Sequence, residues 1–83
     1  MGTYANIKKN RMKRFLKWLD TREFVSVEKA GKHQYNVKYN YWKRPFPIPF
    51  KNNEVNKYIV KALMKKLTGS EICTEEEFDE RIK

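Results

Sequence analysis

The 83 residues predict an α+β fold, a two-layer sandwich in which two helices cover a three-stranded antiparallel sheet, in the order α-β-β-β-α with a short C-terminal helix added. Three observations predict it. Apolar residues recur with helical spacing before residue 20 and again after residue 54, the period falls to two between residues 24 and 41, and prolines alternate at 45, 47 and 49. A chain this short builds one core rather than two, and its 14% aromatic content supplies large side chains to fill that core.

Residues 1–9 read as a flexible basic arm, residues 10–69 as the folded domain, and residues 70–83 as an acidic helical end. From Asn10, a candidate N-cap, Met12, Phe15, Leu16 and Leu19 fall at i, i+3, i+4 and i+7, one face of a helix ending near Arg22. Phe24 to Glu28 then reads as a strand, and Lys29-Ala30-Gly31-Lys32 as a turn. In the next strand His33, Tyr35, Val37, Tyr39 and Tyr41 share one side, and Gln34, Asn36, Lys38 and Asn40 the other, as in a half-buried antiparallel strand.

Pro45-Phe46-Pro47-Ile48-Pro49-Phe50 carries its prolines on one parity, so one of its edges has no N–H donors. The segment is expected at the sheet's edge, pairing only through Phe46, Ile48 and Phe50. Asn52 or Asn53 is the candidate cap of the second helix, whose apolar face is Val55, Ile59, Ala62, Leu63 and Leu67 before Gly69 stops it. Thr74 to Glu77 has the form of a capping box, and Phe78 and Ile82 make the i, i+4 pair of a third helix.

The net charge of +9 is unevenly placed. Residues 1–70 hold seventeen Lys and Arg against four Asp and Glu, whereas residues 71–83 hold two against six. A body this basic concentrates polyanions, and a phosphate backbone, RNA above all, is the simplest partner. The bland alternative is an ordinary protein of high pI. Lys57, Lys61 and Lys65 recur every four residues along one flank of the second helix, and Arg11, Lys13, Arg14 and Lys17 lie off the apolar face of the first, with Arg11, Arg14 and Lys17 as a second basic patch. Trp42, at a hairpin tip, is the aromatic best placed to stack on an unpaired base, since Tyr35 and Tyr39 share the parity of core Val37.

One cysteine, Cys73, excludes an internal disulfide and a multi-cysteine zinc site, and it reads as a small core residue. One histidine, no glycine-rich phosphate loop and no HExxH leave metal and triad enzymes without their residues, and the sequence implies no cofactor. No apolar run reaches the ~18 residues of a membrane span, and the N-terminal residues lack a secretory signal's apolar stretch, so no membrane partner and the cytoplasm are the expectations. Helices over one face of a three-stranded antiparallel sheet are also the layout of double-stranded RNA-binding domains, which permits RNA binding without establishing it.

Residues 10–67 resemble the HicA family of toxin mRNA interferases. The likeness rests on Met12 to Leu19 as the first helix, Ala30-Gly31-Lys32-His33 where the family has Gly-Ser-x-His, Pro47-Ile48-Pro49 as the third strand, and Asn56 to Leu67 as the closing helix. The family's serine is absent, and Ala30 stands in place of its glycine. The resemblance implies an endoribonuclease with His33 as the catalytic residue and a HicB-like antitoxin as partner. The chemistry is coherent, because an imidazole with an ordinary pKa of about 6.5 can take the proton of a ribose 2′-hydroxyl and let that oxygen attack the adjacent phosphate without a metal. Lys32, Lys38, Lys43 and Arg44 are the expected phosphate ligands. Two alternatives stay open, a non-catalytic RNA-binding module of the same fold and a DNA-binding accessory protein, and His33 is then a strand-opening residue bonded to backbone.

Overall fold

The computed structural model describes residues 4–82. The chain enters through a two-residue strand, β1 (Ile7–Lys8), and runs directly into α1 (Lys9–Leu19). Three strands follow, β2 (Val25–Lys29), β3 (Gln34–Tyr39) and β4 (Phe46–Pro49), then the short β5 (Glu54–Val55), α2 (Lys57–Gly69) and α3 (Glu75–Ile82). The predicted α+β order is present, with a three-stranded antiparallel sheet of order β2-β3-β4. A two-stranded ribbon that the sequence reading lacks, β1 against β5, pairs Ile7 with Val55 and Lys8 with Glu54.

That ribbon corrects the expected arm. Residues 1–3 lie outside the described residues, but Ile7 is buried, and the Tyr4 hydroxyl donates to Asp79 at 2.6 Å. Lys9, not Asn10, opens α1, and its N–H donates to the Asn53 carbonyl at 2.8 Å, so strand pairing takes over the work of a side-chain cap. At the other end α1 stops at Leu19, and the Asp20 carboxylate turns to accept the Val27 N–H at 2.8 Å.

The sheet has one apolar face. Val25, Val37 and Ile48 are buried on it, and Val27, Tyr35, Tyr39 and Phe46 are half-buried beside them. These join Met12, Phe15, Leu16 and Leu19 of α1, Leu63 and Leu67 of α2, and Phe78 of α3 in one cluster. The acidic end is therefore part of the same core rather than an appendage. The second face carries the other parity, including Ser26, Asn36 and Lys38.

Strand β4 lies at the sheet's edge, as its prolines require. The Phe50 N–H donates to the His33 carbonyl at 2.6 Å, which fixes the parity: Phe46, Ile48 and Phe50 turn their N–H groups to β3, and the prolines face outward. The opposite edge is closed by different means. The outward N–H of Val25 bonds the Arg22 carbonyl at 3.2 Å, and that of Val27 bonds Asp20.

Asn52 and Asn53 do not cap α2. Both have positive φ, 55° and 60°, and form the two-residue turn between Lys51 and Glu54, a geometry asparagine tolerates. The cap is Asn56, whose side chain accepts the Tyr58 N–H at 2.8 Å. Because Val55 belongs to a strand, the buried face of α2 is Val60, Leu63, Met64 and Leu67, with Ile59 half-buried and Ala62 exposed. The capping box of α3 forms as expected: the Glu77 N–H donates to Thr74 Oγ1 at 3.1 Å and the Thr74 N–H to Glu77 Oε1 at 3.0 Å.

Candidate nucleic-acid interface

Helix α1 carries five Lys and Arg residues and no carboxylate in its eleven positions. Its 100° rotation per residue sends Met12, Phe15, Leu16 and Leu19 inward and leaves Lys13, Arg14 and Lys17 on a flank beside the edge strand β2. There they rim a groove of about 460 Å³ whose floor is Leu16, Val27 and Tyr35. Asn10 and Asp20 also line it. Of the predicted α1 patch, Arg14 and Lys17 meet here and Arg11 does not; Lys13, which the sequence places off the apolar face but outside the patch, takes its place. The signal for Lys13 was its i, i+4 spacing from Lys17.

His33 is exposed in the β2–β3 turn, which Gly31 shapes with a φ of 133° that L side chains rarely adopt. Its backbone is pinned by Phe50, and its ring makes no hydrogen bond among the described residues. The backbone-bonded histidine of the bland alternative is thus not what forms. Lys32 adjoins it in sequence, and Lys51 follows the Phe50 that holds it. Lys9 Nζ lies 5.5 Å from the centre of the Phe50 ring.

The other expected phosphate ligands of His33 are elsewhere. Lys43 and Arg44 follow the far end of β3, and six residues of extended chain, at about 3.3 Å each, put roughly 20 Å between His33 and Tyr39. Lys38 points from the second face of the sheet and pairs with Glu28 at 3.0 Å. Four residues that the sequence grouped in one site therefore divide among three places, because a β-strand separates its two ends and its two faces.

Lys57, Lys61 and Lys65 are all exposed along α2 and contribute nothing to the α1 groove. Between them stands Tyr58, 71% exposed, with Lys57 Nζ 5.4 Å from its ring centre. Tyr58 was missed. Its spacing of three and seven residues to Lys61 and Lys65 places it on the lysine face and could have found it. Trp42, expected to be the open stacking platform, is half-buried instead. Its indole N–H donates to Ser70 Oγ at 2.7 Å, Tyr39 packs at 5.6 Å, and Lys66 Nζ sits 5.2 Å from the ring.

A second concavity lies at the Trp42 end, where Phe24 and Tyr41, 49% and 73% exposed, meet at 6.0 Å between Glu23 and Glu71. Its carboxylates set it apart from the cationic groove. Cys73 is buried, and burial pushes its thiol up to about 11, with Glu77 adding to the rise and Arg22 opposing it. It is a core residue, not a nucleophile. Among the described residues no three His, Cys, Asp or Glu side chains gather as a metal site requires, and no helix is long and apolar enough to cross a membrane.

No family model, no curated protein and no solved structure matches this chain.

Proposed function

We propose that the chain is a cytoplasmic RNA-binding protein that engages the phosphate backbone through α1 and α2. One observation carries this reading: the two helices together present nine Lys and Arg residues and no carboxylate. Among the described residues the single ion pair is Lys38–Glu28, on neither helix. Unneutralised cations repel one another, and a polyanion relieves that repulsion while releasing its own counterions. RNA affinity should fall steeply with salt. Changing Lys57, Lys61 and Lys65 together to Gln should lower the slope of log affinity against log salt by about 2 to 3. An unchanged slope removes α2 from the interface.

A second reading, cleavage of mRNA with a HicA-like mechanism under control of a HicB-like antitoxin, is favoured by the exposed, unbonded ring of His33 beside Lys32. In that step an imidazole nitrogen takes the 2′-hydroxyl proton, the 2′-oxygen bonds to phosphorus, and the 5′-oxygen leaves and is protonated by water. Cleavage should then persist in chelator and leave 2′,3′-cyclic phosphate ends. His33→Ala should abolish it and spare salt-dependent binding. Cleavage that survives in the alanine variant defeats this mechanism.

A further inference from the structure

The groove between α1 and the sheet is more than a set of phosphate ligands. A duplex presents phosphates and 2′-hydroxyls outward and keeps its bases stacked inside, so cations and hydrogen-bonding groups serve it without an apolar floor. Here the cations Lys13, Arg14 and Lys17 line the α1 side of a groove whose apolar floor is Leu16, Val27 and Tyr35, a surface that a phosphate does not use. Tyr35 is held in place by Phe50, whose ring centre lies 5.5 Å away at an interplanar angle of 88°. A volume of about 460 Å³ falls within the range of small-ligand sites, ~300 to 1,000 Å³.

The polar groups of the groove suit a base edge. One Asp20 oxygen is committed to the Val27 N–H at 2.8 Å, which fixes the carboxylate and leaves the second oxygen as an acceptor. Asn10, on the same side of α1, offers an amide with both donor and acceptor. His33 is two residues from Tyr35 along the strand direction, about 7 Å away, and does not itself line the groove.

We infer that the groove takes one unpaired nucleotide of single-stranded RNA, its base on Tyr35, Val27 and Leu16 and its phosphates on Lys13, Arg14 and Lys17. The inference rests on the RNA reading and narrows it from RNA in general to a strand with at least one unstacked base. It assigns Tyr35 a binding role that duplex recognition does not need.

The test compares three RNAs at one salt concentration: an unstructured heptanucleotide, the same strand with its bases removed, and the corresponding blunt duplex. Binding is followed by fluorescence anisotropy for the wild type, Tyr35→Ala and Tyr35→Phe. Loss of the ring should weaken the heptanucleotide by about five- to a hundredfold, as expected for one stacked base, and leave the duplex and the abasic strand unchanged. Tyr35→Phe should bind like the wild type, which separates loss of stacking from loss of fold. The abasic strand tests the same point with the protein untouched, and should bind the wild type as weakly as the heptanucleotide binds Tyr35→Ala. If the wild type binds all three RNAs equally, the groove assignment is overturned and general RNA binding survives. If it binds none, the RNA reading falls and the groove assignment with it. Self-association that Tyr35→Ala abolishes would assign the groove to a second copy of the chain and overturn the nucleotide.

Discussion

The two flanks of α1 are built from the same materials and finished differently. On one, Phe15 meets Phe78 of α3 at 5.0 Å, and Trp18 has the guanidinium carbons of Arg22 and Arg81 5.4 and 5.1 Å from its ring centre. On the other, Lys13, Arg14 and Lys17 stand beside Leu16, Val27 and Tyr35, and no element among the described residues covers them. Both flanks place cations beside apolar or aromatic surface. In the first the protein supplies both members of each contact, whereas in the second it supplies one. The closed flank is also not closed by charge: the carboxylates of α3 form no ion pair among the described residues, and Phe78 and Ile82 bury its contact face. Apolar burial decides which flank is structural, and the cations of the other flank stay exposed.

The largest effect expected from this comparison is on stability. Phe78 is fully buried between Phe15 and Tyr4, so Phe78→Ala should cost about 3 to 5 kcal/mol in urea unfolding. Tyr35 is half-buried and loses mainly its contact with Phe50, so Tyr35→Ala should cost less than half as much. Equal losses would mean that the groove is as structural as the closed flank.

The second effect depends on pH. Cys73 is 6% exposed behind the closed flank, and burial raises its thiol from an ordinary 9.0 to about 11. The folded state thus holds a proton that the unfolded chain releases earlier, so the contribution is complete below about pH 9 and is lost as pH rises through 11. At the alkaline limit the loss reaches about 2 to 3 kcal/mol. The Tyr4 hydroxyl shifts in the same direction, through burial and then through Asp79, so Cys73→Ala should flatten only part of the decline. A decline as steep in Cys73→Ala as in the wild type would show that water already reaches the thiol.

Much of this architecture is legible in the sequence, and the exceptions share a cause. Phe15, Leu63, Phe78 and the prolines of β4 announce themselves through period or parity, because neighbours in sequence set their surroundings. Ile7 and Val55 do not. Each is one apolar residue in a two-residue strand, and only pairing across 48 positions buries them, so the arm read as loose and Val55 read as helical. The site follows the same division. The exposed α2 lysines and the α1 cations were visible from helical spacing, whereas the removal of Lys38, Lys43 and Arg44 from His33 follows from strand geometry. The filling of Trp42 by Ser70 and Lys66 comes from contacts 28 and 24 residues away.

A smaller effect reports on how α3 is held in place. Thr74 accepts the Glu77 N–H, and Glu77 reaches back to the Thr74 N–H, so Thr74→Ala should cost about 1 kcal/mol. The alanine should speed amide exchange in the first turn of α3 before it alters RNA binding. A change in affinity with no change in exchange would place α3 at the interface and contradict the separation of the flanks.

The smallest effects make the sharpest comparison, since one cation from each flank can be removed with the same change of charge. Arg81 stacks on Trp18 together with Arg22, so Arg81→Gln should cost about 0.5 to 1 kcal/mol, shift the tryptophan emission, and leave the salt slope of RNA binding where it was. Lys17 has no ion-pair partner among the described residues and lines the open groove, so Lys17→Gln should leave stability within about 0.5 kcal/mol. It should instead lower the salt slope by about 1, the share of one phosphate. Each variant is thus expected to move the quantity that the other leaves alone. If both lower the slope equally, RNA senses only the net charge of the molecule, and the difference between the flanks is one of packing without consequence for binding.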